Sequence, residues 1–284
     1  MASNAPQTLY RQEFIAGFEV NQSLLRDACT TQGTVKGNSI IFLVADSGGA
    51  TAVTRGIDGL IPARADDLTQ VTCTLTEFHD LVRKTRFNIF ESQSDQRAIM
   101  IKTSMGTINR KIDSQILTAL SSATVAANSS GETASVGLVM KAVTILQNSD
   151  VPWDNNIWGI VSPCFMAYML QSREFSGGEY VDRRPIQNND PAWADRPKPY
   201  NWMGINFIAH PSVSGVGTSS ETCYFLHQSA IGHGFDTAGL NTMVDYNGEQ
   251  DYSYARASGF MGAKLLQNSG VVKVLHDGSA YVAA

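Results

Sequence analysis

The sequence predicts an α+β fold, and three observations carry that reading. Ser92–Ser121 places apolar residues at helical spacing over roughly thirty positions, about 45 Å of α-helix at 1.5 Å per residue. Other stretches alternate polar and apolar residues, or are short and rich in branched side chains, as strands do. The order of elements, αββα…αβαβ…ββ, lacks the regular strand–helix alternation of a parallel α/β sheet. At 284 residues and 43% hydrophobic content, the chain supports one large domain or two ordinary ones.

Near the N-terminus, Tyr10, Phe14 and Phe18 are spaced by four, with Ile15, Val20, Leu24 and Leu25 among and after them. A helical turn or two is expected, ending where Gly33 and Gly37 punctuate the chain. Each ring hides about 150–250 Å² when covered, so this arm either packs on its own domain or docks on a neighbouring subunit. "SIIFLVAD" (Ser39–Asp46) reads as a strand. "TQVTCTLTEFHDLV" (Thr69–Val82) sets Val71, Cys73 and Leu75 against Gln70, Thr72, Thr74 and Thr76, which predicts one half-exposed antiparallel strand.

Between those strands runs Ser47–Leu68, poor in core residues and pliant at Gly48, Gly49, Gly56 and Gly59. Arg55, Asp58, Arg64, Asp66 and Asp67 decorate it with both signs of charge. Connections longer than about 12–15 residues are uncommon in compact domains unless functional or disordered. This one reads as an extended hairpin that reaches away from its own core to touch another molecule.

The long helix has Ser92 or Ser94 as its cap and Asp95 in its first turn. Met105, Ile108, Ile112, Ile116, Leu117 and Leu120 form its apolar stripe, with Arg110, Lys111, Asp113 and Gln115 expected mostly elsewhere on the cylinder. Gly106 is a mild weak point. "TVAANSSGET" ends it, and Ser135–Asn148 forms a second helix whose face is Val139, Ala142, Val143 and Leu146. "IWGIVSP" is a strand, "PCFMAYMLQS" a short helix opened by Pro163, and "GINFIAH" another strand. Between the last two, "RRPIQNNDPAWADRPKPYNW" is a loop stiffened by proline and tryptophan, a second candidate contact surface beginning at Arg183 and Arg184. "TCYFLHQSAIGHGF" is a strand pair or a bent strand, "DYSYARASGFMGAKLL" a late alternating strand, and "GVVKVL" a short buried one.

Composition narrows the function. Net charge is −5 and charged residues are 17% of the chain, below the usual ~25%. A DNA-wrapping protein draws its affinity from neutralising phosphates and would be basic. Low charge suits surfaces that end against other protein. No apolar run approaches the ~20 residues of a membrane span, and "MASNAPQTLYRQEF" lacks the basic and apolar regions of a signal peptide. With Met1 retained, cytoplasmic synthesis without removal of a pro-segment is the expectation. Cys29, Cys73, Cys164 and Cys223 form no C-x-x-C pair, as befits reduced core thiols.

Catalytic patterns are missing from the sequence. "GFMGAK" has the wrong spacing for a phosphate-binding loop and no Ser or Thr after its lysine; no G-x-G-x-x-G follows a strand and no G-x-S-x-G elbow occurs. His227 and His233, six apart, would sit about 20 Å from each other on a flat strand, too far to share a metal. His79 beside Asp80 and Glu77 could imitate a general-base pair, but a solvated strand face is the simpler account. His210 precedes a proline and His276 lies near the C-terminus. The expectation is a protein that is not an enzyme, with no cofactor and no metal.

One family fits the ordered set. A strand pair around a long loop is followed by "SDQRAIMIKTSMGTINRKIDSQILTAL", then "VGLVMKAVTILQNSDVP", then "IWGIVSP…FMAYMLQS", and the chain closes with "YSYARASGFMGAKLLQNSGVVKVL". This order resembles the major capsid proteins of tailed bacteriophages, which adopt the Hong Kong 97-like fold. The resemblance implies an N-terminal arm (1–32), an extended E-loop hairpin (33–84), a peripheral domain with the long spine helix (85–130 and 243–268) and an axial domain (131–242 and 269–284). It implies a structural protein of the virion, assembled in the host cytoplasm. Rings of five and six subunits would tile an icosahedral shell around double-stranded DNA. Portal, separate scaffold and decoration proteins would be partners, and the acidic balance would keep packaged DNA off the inner wall.

Tyr10, Phe14, Phe18, Arg55, Asp58, Arg64, Asp66, Asp67, Arg183 and Arg184 are then the candidate inter-subunit contacts. Some members of the family weld subunits through a lysine in the E-loop, but Ser47–Thr72 holds none, so a non-covalent shell is expected. Two rival readings remain at this level, an encapsulin-like compartment shell and a cytosolic hydrolase built on His79 and Asp80.

Overall fold

Helix α1, Gln96–Ser121, is the 26-residue spine of the computed structural model, which describes residues 23–32, 37–46, 50–61, 63, 67–85, 96–177, 200–235 and 241–281. Ile108, Ile112, Ile116, Leu117 and Leu120 are buried along it, as their spacing requires. The stripe departs from expectation at Asp113. That residue precedes Leu117 by four and Leu120 by seven, so it shares their side of the cylinder and is only 2% exposed.

The helix packs across a five-stranded sheet centred on β11 (Tyr252–Leu265). On one side of β11, β4 (Thr76–Thr85) pairs antiparallel along Tyr252–Met261. On the other lie β10 (Asn241–Asn247) and then β9 (Ile231–Phe235), with β1 (Thr30–Gln32) added parallel to β9. The late segment is therefore a hairpin, β10 and β11 joined by a turn at Gly248–Asp251, where a single strand was expected. β10 carries Met243, Val244 and Tyr246 at the surface, so it lacked the burial pattern that announces a strand.

A second sheet runs β12 (Val271–His276), β8 (Glu221–His227), β5 (Ile157–Val161), β7 (Ile205–Ala209), β6 (Tyr200–Trp202). It separates two cores. Ile160, Tyr224, Leu226 and Val271 face the core under α1, while Ile157, Val161, Cys223, Phe225, Val272 and Val274 face a core covered by α2 (Val136–Asn148) and α3 (Pro163–Gln171). Period two along β8 thus feeds both cores, and a strand buried on both faces has no polar side to alternate with. Ser135 and Ser162 cap the two helices by accepting from Leu138 N–H at 3.3 Å and Phe165 N–H at 3.1 Å. A four-residue turn, α4 (Arg173–Ser176), buries Phe175 after α3.

The stretch expected as one strand, Thr69–Val82, divides at Leu75. β3 (Asp67–Thr74) pairs with β2 (Ser39–Asp46) from Ser39 opposite Thr74 to Asp46 opposite Asp67, while β4 leaves for the β11 sheet. Leu75 is the hinge point: its side chain is buried and its N–H donates to Asn38 O at 2.8 Å. Alternation continues through the break, which is why periodicity alone missed it.

The β2–β3 hairpin is rooted by Ile40, Phe42, Cys73 and Leu75. Its seat is β9, where Gly232 and Gly234 leave room. A Cβ at Gly234 would stand 1.9 Å from Ile40 Cδ1, and one at Gly232 would stand 2.7 Å from the Phe42 ring. Gly234→Val is expected to unseat the hairpin while the spine helix stays folded. Faster proteolysis within 37–74, with little change in helical circular dichroism, is the result that checks it.

Candidate assembly surfaces

Beyond its root the hairpin has no core of its own. On β2, Ile40 and Phe42 point to the seat, and the alternate residues Ile41 and Leu43 lie exposed. Farther out every described residue from Ala50 to Ile61 is exposed, including Val53, Ile57, Leu60 and Ile61. A turn closes the tip: Gly59 N–H donates to Gly56 O at 2.9 Å, Gly56 N–H donates to Leu60 O at 3.1 Å, and Gly59 sits at φ 75°. The tip is therefore shaped, yet its branched side chains touch solvent. Fully covering such a side chain is worth roughly 1.5–3 kcal/mol, so the loop carries unused apolar binding energy.

Of the contact candidates, Arg55 precedes this tip and Asp58 lies within it, and both are exposed. Asp67 opens β3 opposite Asp46 at the far end of the ladder. Tyr10, Phe14, Phe18, Arg64, Asp66, Arg183 and Arg184 lie outside the described residues. The charged residues drew the sequence reading; the apolar ones between them, Ile57, Leu60 and Ile61, are the larger feature. The five residues "IDGLI" held that signal, since three large aliphatic residues in a polar loop have no reason to be there unless something covers them.

Asp113 ties the base of the arm to the rest. Its carboxylate accepts from the Ser23 hydroxyl and from the Leu24 and Leu25 N–H groups, both at 3.3 Å. His210, just after β7, places Nε2 3.2 Å from Asp113 Oδ2. Ser212 N–H donates to His210 Nδ1 at 3.1 Å, so Nδ1 is the acceptor and Nε2–H the donor toward Asp113. One buried carboxylate thus joins the arm's exit, the spine helix and the second sheet. Sequence spacing could not show it, because the three contributors are some 90 residues apart along the chain.

Among the described residues, His79, His227 and His233 form no shared centre. His79 Nε2 lies 3.0 Å from Glu77 Oε1 on an exposed face of β4, and Asp80 points to the opposite face. His227 pairs with Asp154 at 3.0 Å and accepts from Ser229 N–H at 3.2 Å. His233 lies in a different sheet from His227, so the flat-strand distance expected between them does not apply.

His233 is fully buried, stacked on Phe235, and neither ring nitrogen has a hydrogen-bond partner among the described residues. Burial first, and the Arg26 charge second, lower its pKa from 6.5 to about 4. The unfolded chain therefore takes up a proton near pH 6.5 that the folded protein refuses until about pH 4, so stability falls as pH drops through that window. His233→Phe is expected to flatten this loss. Melting temperatures at pH 7 and pH 5 should differ less in the variant than in the parent, and an equal difference in both would refute the assignment.

A family model described as phage capsid protein matches residues 2–278. The chain belongs to that family. No curated protein matches the capsid protein in sequence, yet its fold is shared widely. The capsid of Ralstonia phage GP4 superposes with a TM-score of 0.69 at 10% identity, covering 100% of each chain. Mycobacterium phage Che8 gives 0.68 at 16% identity over 96% of this chain and 98% of that one. The capsid of cyanophage P-SCSP1u gives 0.68 at 9% identity over 94% and 91%. At such identities the likeness is one of fold, and it is the α+β, Hong Kong 97-like architecture expected from the order of elements. The capsid protein is a component of the phage virion. Neither the compartment-shell reading nor the hydrolase reading is favoured by these matches.

Proposed function

We propose that this capsid protein is the main shell subunit, that its copies close into rings of five and six, and that these rings tile an icosahedral shell around double-stranded DNA. The observation that carries the proposal is the shaped, exposed, apolar hairpin tip on a firmly seated root. A neighbouring copy is the natural cover, because a heterologous contact repeated by rotation closes a ring and uses the tip of every subunit in turn. Each subunit then both gives and receives a loop, and many modest contacts add through avidity.

The division of labour follows the domain order expected from the sequence. Residues 1–32 are the arm, 33–84 the E-loop hairpin, 85–130 and 243–268 the peripheral domain with the spine helix, and 131–242 with 269–284 the axial domain. β9 lies within the axial range and pairs with β11, which stitches the two domains together. Arg55, Asp58, Arg64, Asp66 and Asp67 steer the loop to its neighbour; Tyr10, Phe14 and Phe18 anchor the arm, and Arg183 and Arg184 add a second contact. A portal, a separate scaffold and a decoration protein complete the particle. The role is structural and needs no catalysis.

Sedimentation and electron microscopy of purified protein test this reading directly. Megadalton shells with five-fold vertices are expected; a small oligomer at every concentration and salt tried would overturn it. The shell is also expected to be non-covalent, since Ser47–Thr72 contains no lysine for an isopeptide bond. On a denaturing gel mature particles should run as a 30.7 kDa band, whereas covalent ladders would refute the point.

A further inference from the structure

We propose that Cys164, Glu221 and His276 form a binding site for a zinc-class divalent cation, which clasps the start of α3 to the first residue of β8 and the last of β12. The three side chains come from separate elements, and one ligand atom from each lies within 4.8 Å of the other two. Glu221 and His276 are fully buried, and Cys164 at the second position of α3 is half-buried.

The histidine is already prepared as a ligand. Its Nδ1 lies 3.0 Å from the Glu132 carbonyl oxygen, which fixes the proton on Nδ1 and leaves the Nε2 lone pair free. Nε2 is buried with no hydrogen-bond partner among the described residues. The Phe165 and Tyr168 rings meet the imidazole edge-on at 5.2 and 5.5 Å and hold its plane. Glu221 is oriented as well: Oε1 accepts from Gly217 N–H at 2.6 Å and Oε2 accepts from the Ser162 hydroxyl. A Cβ at position 278 would stand 2.0 Å from Glu221 Oε1, so glycine is required for the chain to pass this close.

The spacing of the two groups decides between readings. His276 Nε2 stands 3.8 Å from Glu221 Oε2, too long for a hydrogen bond. It is close to the ~3.4 Å edge of a tetrahedron whose centre lies about 2.1 Å from each ligand. Cys164 Sγ, now 3.6 Å from the Gly278 carbonyl oxygen, supplies a third corner after a small rotation. One sulfur, one imidazole nitrogen and one carboxylate oxygen suit zinc, whereas calcium and magnesium want oxygen alone. Burial and the Glu221 charge raise the Cys164 thiol pKa, so metal binding would release a thiol proton. The competing account is a bare contact between His276 and Glu221 with no metal.

Zinc itself is the probe. The full-length protein, assembled or not, is equilibrated with zinc, freed of excess by gel filtration and assayed for metal. About one zinc per chain is expected in the parent, with at least a tenfold lower content in Cys164→Ala. Cobalt in place of zinc should give a thiolate-to-metal charge-transfer band that Cys164→Ala abolishes. Because Cys164 is half-exposed, that variant keeps the core intact, and its folding is checked by its melting curve. Zinc at background level in the folded parent overturns the proposal, as does zinc content unchanged in Cys164→Ala.

Discussion

Deleting Arg55–Asp67 is expected to leave a folded subunit that no longer builds shells. The segment takes Ile57, Leu60 and Ile61 with it, three exposed aliphatic side chains that contribute nothing to the subunit's own core. On a neighbour, each would be worth roughly 1.5–3 kcal/mol when fully covered, an upper bound of about 5–9 kcal/mol per loop. Since 1.4 kcal/mol is a factor of ten, even a third of that sum raises the concentration needed for assembly by roughly ten- to a hundredfold. The melting temperature of the unassembled subunit should shift by no more than a few degrees. Sedimentation reads the first effect and calorimetry the second. Ile57→Asp with Leu60→Asp is the gentler variant, and it should behave alike because it burdens the same contact with two charges. Normal shells from either protein would show that the loop does not hold the particle together.

Asp113→Ala is expected to act in the opposite way, on the subunit itself. The substitution leaves the Leu24 and Leu25 N–H groups, the Ser23 hydroxyl and His210 Nε2–H without their common acceptor. Breaking a buried charged network costs roughly 3–5 kcal/mol, because every stranded donor keeps its desolvation penalty. For a chain of this size each kcal/mol is about 2–4 °C, so a fall on the order of 10 °C is expected. Trypsin should also cut faster at Arg26, whose neighbours are those the carboxylate holds. Asp113→Asn keeps one acceptor oxygen and should lose roughly half as much. A melting temperature unchanged in Asp113→Ala would show that the arm and the second sheet are held by packing alone.

The two variants separate assembly from folding, and the residues behind them differ in how far the sequence revealed them. Arg55 and Asp58 were visible because charged residues in a long loop between strands have few other uses. Ile57, Leu60 and Ile61 stood beside them, yet an aliphatic residue reads as core until its surroundings are known. Asp113 was placed off the apolar stripe because the other polar residues near it, Arg110 and Lys111, do lie outside. A buried carboxylate satisfied by the arm and His210 obeys the same helical period as the leucines around it. Periodicity reports which side faces inward and cannot say which polar residue has found partners there.

By itself the sequence determined the α+β class, the spine helix, the second helix, and the long unsupported excursion before the spine. Each of these follows from local rules of spacing and capping, so a few consecutive residues suffice. Only the tertiary structure decided that Thr69–Val82 breaks at Leu75 to serve two sheets, and that β8 feeds two cores at once. It alone seated the hairpin on Gly232 and Gly234, and it alone brought Cys164, Glu221 and His276 together. Those features are set by what lies across a sheet or against a helix, and the partners there come from distant parts of the chain.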